Sequence, residues 1–400
     1  MEVCIDRAKE KTSELSRLSP VAYLAGIAFL VLLSRLILAP LLPLIEDELN
    51  LSHGQAGGLF FFMSLGFSVA MLLSGFVAGL LSHRRTILVS VLIVTASLLA
   101  LSVCRGLRCM QIFLVLLGTG GGLYLPSAMA TITNLVDQER RGRAIAIHEI
   151  GFNMSFVSAP LVVRLVLPLF TWRVSLMMVA VSTALSGCAF TLFGTGGRMA
   201  GESPRMRHVR SIVSCPQFWI IGVLFAVAIG AEVGVYSMIP TYLVSSEGME
   251  LNRVNMLLSL SRVSGLIMIF VTGWLSDRFG ARPLITAVLS LSAVLTVLMG
   301  FSHKALLLAA VFAQPLVIIC FFPAGLSALS DAFEPRLLSL AISFMIPFAY
   351  FFGAGLVPAG MGFLGERGLF WAGFSIIGAS LIAVLIPLSF LMPKEQHPTG

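Results

Sequence analysis

Three charged residues of this chain sit where charge is expensive. Arg35, Glu232 and Arg262 each lie deep inside a long apolar run, and an ionisable group inside a bilayer usually marks a pathway for substrate or protons. Arg35 stands eight residues before Pro43, and Glu232 stands eight before Pro240, so the two hold matching places with opposite charges. Arg262 shares a helical face with Asn255 and Ser259, at i, i+4 and i+7, at a depth similar to that of Glu232. The surplus is positive. A guanidinium presents a rigid fork that grips a carboxylate or phosphate at two points, and an unpaired one in low dielectric attracts an anion. Burial favours the neutral form of a carboxyl unless an arginine pairs with it, which makes Glu232 the candidate proton site. Its protonation would release an arginine to the anion. Tyr236, one turn beyond Glu232 on the same face, and the deep Tyr124 and Tyr350 could add hydroxyls and an aromatic wall. With Asn153 and Ser259 they complete the candidate substrate set. The competing reading is an ion-pair network that locks helices and binds nothing. Arg164 is close enough to the end of its run to snorkel. His148 and Glu149 start a run and serve either an inner gate or the membrane interface.

Composition dictates the scaffold that holds these residues. The chain has 400 residues, 58% hydrophobic and 11% charged, with a mean hydropathy of +0.98. A soluble domain carries about 25% charged residues, so a soluble enzyme is excluded, and the apolar content excludes disorder. A membrane helix needs about 20 apolar residues. Twelve segments meet that need: 20–45, 54–81, 86–104, 110–134, 144–168, 174–194, 217–244, 254–276, 284–302, 305–330, 338–363 and 369–392. They are apolar on all sides, unlike the alternating strands of a membrane barrel. The expected fold is therefore all-α, with twelve transmembrane helices in two pseudo-symmetric six-helix bundles.

Lys and Arg concentrate in cytoplasmic loops. With both termini inside, Arg84, Arg85, Arg140, Arg141, Arg143, Arg198 and Arg210 fall on the cytoplasmic side, against Arg105, Arg108, Arg173 and Arg253 outside. All four tryptophans, Trp172, Trp219, Trp274 and Trp371, fall near helix ends, as an interfacial belt requires. The polar break at 195–216 divides the chain into a bundle over 20–194 and a second over 217–392, with cytoplasmic tails at 1–19 and 393–400. Gly75 and Gly273 are 198 residues apart, Glu139 and Glu334 are 195 apart, and Pro126 and Pro323 are 197 apart. Three markers with nearly one spacing indicate duplicated halves related by an axis along the membrane normal.

The turn Gly273-Trp274-Leu275-Ser276-Asp277-Arg278-Phe279-Gly280-Ala281-Arg282 closely matches the G-x-L-x-D-R-x-G-R-R loop of the major facilitator superfamily. The stretch Glu139-Arg140-Arg141-Gly142-Arg143 is similar to that family's charged turn after the fourth helix. With twelve helices and a central linker, the resemblance spans essentially the whole chain. It implies an alternating-access carrier. Gly273, Asp277, Arg278, Gly280 and Arg282, with Glu139, Arg141 and Arg143, would then form its cytoplasmic gate. A carboxylate at helix N-termini gains about 0.3–1 kcal/mol from the dipole, and neighbouring arginines let it latch one half to the other. Departures are equally informative. Gly79 and Leu80 stand where the first-half turn of the family has Asp and Arg, Leu114 replaces a helix 4 arginine, and the antiporter signature is reduced to Ala159-Pro160. An arginine on the eighth helix resembles monocarboxylate and oxalate/formate carriers at that one position.

The expected function is secondary transport of a small organic anion, a carboxylate, with proton coupling through Glu232. The alternative is an exporter of amphipathic drugs or lipids, supported by 18 Met and 29 Phe, which suit a broad apolar cavity. A receptor or assembly factor on a carrier fold is a third class. No nucleophile–base constellation appears, so no enzyme is expected. The run Gly118-Thr119-Gly120-Gly121-Gly122 lies inside a helix, where glycine permits close packing rather than phosphate binding. No metal or cofactor is expected. The expected partners are an anionic small molecule and the lipid bilayer, with no nucleic acid, and the chain is expected to work as a monomer. Compact loops suggest a bacterial inner membrane. Cys104 and Cys109 flank one short loop and could pair if it faces an oxidising compartment.

Overall fold

The computed structural model describes residues 20–201 and 206–391, without the side chains at 206–208, 264, 266, 267, 269, 270, 273, 274, 276, 277, 335, 336, 339 and 389–391. The tails expected at 1–19 and 393–400 therefore lie outside the described residues, as do the side chains of Gly273, Trp274 and Asp277. Eleven helices are long and apolar enough to cross a membrane: α1 (Pro20–Leu49), α2 (His53–Leu81), α3 (His83–Val103), α4 (Leu107–Leu135), α5 (Gln138–Val166), α6 (Trp172–Phe193), α7 (Pro216–Ser245), α9 (Ala281–Phe301), α10 (Lys304–Ala332), α11 (Leu340–Gly365) and α12 (Phe370–Leu388). Between α7 and α9 runs α8 (Leu251–Phe279), 29 residues long and carrying Arg262. A short helix, Met206–Val213, interrupts the linker between α6 and α7. Among the described residues there is no strand.

Large apolar side chains such as Leu92, Leu165, Leu185 and Ile386 are exposed on the outside of the helices. Such a belt suits lipid, and a helix satisfies its own backbone there. Each face carries alternate loops. The face with the α6–α7 linker is called the linker face, and the opposite one the far face.

Glycine sets the helix spacing inside the first bundle. A Cβ at Gly66, Gly118 or Gly122 would overlap backbone of the partner helix, so α2 and α4 touch backbone to backbone. The far-face α3–α4 loop is closed by a disulfide between Cys104 and Cys109. Nearby, Arg173 donates to the Ser102 and Cys104 carbonyls at 2.8 Å each and pairs with Glu48 at 2.6 Å. Trp172 is 3% exposed and donates its indole N–H to Glu48. It is a packing residue, whereas Trp219 and Trp371 are exposed near helix starts as a belt requires.

The two α2–α3-type turns show the repeat in backbone detail. Gly280 (φ +81°) precedes α9, and Ser82 (φ +80°, ψ 155°), 198 residues earlier, precedes α3. In the first half the linker chain lies along this turn. His83 N–H donates to Met199 O, Arg84 N–H to Gly197 O and Gly201 N–H to Ala78 O. The Arg84 guanidinium caps the end of α6 through the carbonyls of Phe190, Thr191 and Gly194, where a cation meets the negative end of the helix dipole.

Candidate functional site

Between the bundles lies a small cavity of about 20 Å³, bounded by Arg35, Phe60 and Met63 from the first half and Tyr236, Ser237 and Tyr350 from the second, among others. Irregular helix geometry places its walls. A turn at Ile37 interrupts the regular helix of α1, just before Pro40 and Pro43, which cannot donate to the preceding turn. In α7 the matching stretch is a π-helical segment, Gly230–Gly234, with Glu232 at its centre. A second π-helical segment, Phe351–Leu356, interrupts 335–365. The two pack together through Gly234 and Gly353, where a side chain would collide with backbone. π-Helical turns recur at functional sites.

Arg35 is 5% exposed. Its guanidinium carbon lies 4.1 Å from the centre of the Phe67 ring and 5.3 Å from that of Tyr350. Its stem passes Gly121, where a Cβ would stand 3.2 Å from Cδ. Among the described residues Arg35 has no ion pair, and its buried Nε has no hydrogen-bond acceptor. Cation–π contact contributes about 0.5–2 kcal/mol, far less than hydration of a guanidinium would. The cavity thus holds one uncompensated cation.

Arg262 and Glu232 are committed to each other. Nη1 lies 3.7 Å from Glu232 Oε1, and Nη2 donates to the Glu232 backbone carbonyl at 3.3 Å. The guanidinium is flanked by Phe156 at 4.7 Å and Tyr236 at 4.9 Å. Neither member of the pair lines the cavity. The neighbouring carbonyl of Ala231 accepts from Gln314 Nε2 at 2.9 Å, so α8 and α10 satisfy carbonyls in the π-helical segment.

The remaining candidates divide between cavity and scaffold. Tyr236 and Tyr350 line the cavity, and the buried Tyr236 hydroxyl has no partner. Tyr124 is fully buried within the first bundle, donating to Leu24 O at 2.6 Å with His148 Nε2 at 3.2 Å. Asn153 donates to the Glu149 carbonyl one turn back, and Ser259 to Val157 O, joining α8 to α5. None of these three lines the cavity. On the linker face, Glu139 and Arg143 are exposed, Arg141 Nε donates to Thr133 O at 3.1 Å, and Arg278 stacks on Phe279 at 5.6 Å. Arg282 is partly exposed, and Gly280 takes the positive φ that starts α9. Asp277 and Gly273 lie outside the described side chains.

Residues that sequence reasoning passed over seal the far face. His53 Nδ1 lies 3.0 Å from Glu46 Oε2, and Thr241 Oγ1 reaches Glu46 Oε1 at 3.5 Å, linking α1, α2 and α7. Ser52 donates to Glu366 Oε2 at 3.0 Å. Gly57 packs directly on Pro358 and Gly362. These charges stand at segment ends, where a sequence gives no reason to distinguish them from loop charges. Phe67 and Phe156, which frame the two arginines, carried no signal beyond hydrophobicity.

Comparison with known proteins agrees with the fold. The model of the Major Facilitator Superfamily matches residues 24–271 and 251–400. The cis,cis-muconate transport protein of Acinetobacter baylyi is 23% identical over 396 residues, covering 93% of this chain and 94% of the relative. The hexuronate transporter of Bacillus subtilis is 23% identical over 159 residues, 40% of this chain and 37% of its own. Among solved structures, the nucleoside transporter NupG superposes with a TM-score of 0.76 at 15% identity, covering 94% of this chain and 98% of that one. A bacterial homologue of the lysosomal transporter Spinster superposes with a TM-score of 0.75 at 15% identity, covering 94% and 95%.

Proposed function

This chain belongs to the Major Facilitator Superfamily and is a multi-pass membrane transporter, and on that footing we propose that it carries a small organic anion, a carboxylate, anchored by Arg35. The observation that carries the reading is the guanidinium of Arg35, buried at the cavity wall with no counter-ion among the described residues. A buried unpaired charge is strongly disfavoured, and an incoming carboxylate relieves it with two parallel hydrogen bonds. Two relatives named for carboxylates, muconate and hexuronate, support the same class.

The Glu232–Arg262 pair behind the cavity wall is the coupling device in this reading. A proton on Glu232 removes the charge that holds Arg262 and loosens the wall formed by Tyr236 and Phe156. The far-face contacts close the cavity from one side, so substrate exchanges from the linker face until the halves rock about the site. The linker face is cytoplasmic and the far face external. Positive loops favour that orientation, and so does the Cys104–Cys109 disulfide, which belongs in an oxidising compartment. A bacterial inner membrane and a monomeric unit complete the proposal, with Asp277, Arg278 and Arg282 latching the cytoplasmic side.

The test is uptake of a labelled carboxylate panel into proteoliposomes, with and without an imposed pH gradient. Saturable uptake that Arg35→Gln abolishes is the expected result. Uptake of cationic amphipaths in preference to every acid would overturn it in favour of the drug or lipid exporter.

A further inference from the structure

We propose that the substrate is a monoanion with a flat, apolar body, an arene- or alkenecarboxylate of about one ring, and that dicarboxylates and sugar acids are rejected. The inference rests on the organic-anion reading and narrows it.

The charge balance of the cavity comes first. Of the residues lining it, Arg35 alone is charged. The second buried arginine offers no second anchor. Arg262 faces Glu232 across 3.7 Å, and the rings of Phe156 and Tyr236 flank it. A dicarboxylate would therefore place one carboxylate on Arg35 and leave the other without a counter-ion among the described lining residues.

The supply of hydrogen-bonding groups makes the second argument. Beyond Arg35, the polar lining residues are Tyr236, Tyr350 and Ser237. The Ser237 hydroxyl is already spent on the Val233 carbonyl at 2.7 Å. The rest of the wall is aliphatic or aromatic, including Leu32, Leu36, Phe60 and Met63. A sugar acid carries several hydroxyls, more than the Tyr236 and Tyr350 hydroxyls can serve, and those left over would lose their water partners on entry.

Shape gives the third. The cavity is narrow, about 20 Å³ in this conformation, so the halves must part to admit a ligand, and a thin, flat body asks least of that movement. Phe156 and Tyr236 stand edge to face with centroids 5.5 Å apart, and Tyr350 packs on Phe67 at 4.9 Å. Tyr350 beside the Arg35 guanidinium and the rings of Phe156 and Tyr236 elsewhere on the cavity wall suit a planar carboxylate whose body stacks while its oxygens meet the fork. Gly121 and Phe67 hold the Arg35 stem and plane, so little side-chain freedom is lost on binding.

The experiment is counterflow of labelled benzoate into proteoliposomes of the full-length carrier, with unlabelled competitors. Benzoate and cyclohexenecarboxylate should compete at concentrations at least about tenfold lower than terephthalate, cis,cis-muconate or glucuronate, the size expected for one stranded polar group. Terephthalate is the sharpest comparison, since it is benzoate with one further carboxylate. Equal or better competition by terephthalate, muconate or glucuronate would overturn the inference and leave the organic-anion reading standing. Equal competition by neutral benzamide would overturn both, because the charge would then contribute nothing. Absence of benzoate counterflow alongside measurable counterflow of labelled muconate also overturns the inference alone. Arg35→Gln serves as the internal control: it should abolish benzoate counterflow while the melting temperature of the purified protein does not fall, because the change removes a buried charge that lacks a counter-ion.

Discussion

Replacing Glu232 by Gln tests what the buried pair is for. The side chains of Arg262 and Glu232 are 6% and 10% exposed and 3.7 Å apart. With an effective dielectric of about 20, their attraction is about 4 kcal/mol, and removing one member of a buried pair costs about 3–5 kcal/mol. Glu232→Gln keeps the shape of the side chain. Arg262 also keeps the backbone carbonyl of residue 232 and the rings of Phe156 and Tyr236, which together retain about 1–2 kcal/mol. The expected net cost is therefore about 1–4 kcal/mol, visible as a lower melting temperature in detergent. Counterflow needs no net proton movement, so it should survive, whereas accumulation driven by a pH gradient should disappear. The double variant Glu232→Gln with Arg262→Met leaves no stranded charge and should recover most of the lost stability. Unchanged stability together with an unchanged response to the pH gradient would refute the reasoning at both points. Loss of counterflow in Glu232→Gln, restored in the double variant, would assign the pair to architecture and remove Glu232 from coupling.

Arg35→Lys should lower transport at least about tenfold at unchanged melting temperature, because Lys keeps the charge but loses the fork; normal uptake would remove Arg35 from the site. Gly57→Ala should prevent closure of the far face, since the added methyl meets the Pro358 carbonyl, and a cysteine placed in the cavity should then label more readily from outside. Ser82→Gly should raise stability by about 1 kcal/mol, because Ser82 holds a backbone conformation (φ +80°, ψ 155°) that glycine adopts without strain; a lower melting temperature would contradict that account. Substrate on the trans side should accelerate flux, because the loaded carrier reorients with Arg35 neutralised, and equal rates with and without trans substrate would refute the charge argument.

Much of the architecture is legible in the sequence because a bilayer allows few solutions. Continuous apolar runs of about 20 residues fix the spans, and the boundaries read from hydropathy fall within several residues of α1–α12. Arg35, Glu232 and Arg262 are legible for the same reason, since charges in apolar runs stand out. What cannot be read is which way each points. A helical wheel assumes 3.6 residues per turn, and the π-helical segment Gly230–Gly234 adds a residue that rotates the rest of the helix by about 100°. Glu232 pairs with Arg262 at 3.7 Å, and neither lines the cavity beside Arg35. Tyr124 shows the same limit, since its depth was evident but its hydroxyl turns into its own bundle toward Leu24 and His148. The first-half turn needed tertiary information of another kind. Gly79 and Leu80 remove the family's charged pair, and the linker backbone instead binds at Ala78, His83 and Arg84, through main-chain groups that leave no mark in side-chain patterns.

The duplication explains why one half carries a free charge and the other a compensated one. Arg35 and Glu232 are 197 residues apart, the spacing that also separates Pro43 from Pro240, so they hold matching places in the two halves. If both halves had kept arginine there, the interface would hold three cations with Arg262. Two repelling charges in low dielectric would then splay α1 from α7. With glutamate in the second half, Arg262 is neutralised within that half, and a single charge faces the cavity. On the proposed anion reading, the empty carrier has a cation that no described protein group balances, and the loaded carrier has none. Reorientation of the loaded form avoids moving an uncompensated charge through the low-dielectric centre of the membrane. That difference couples binding to movement without requiring the substrate to touch any gate residue on either face.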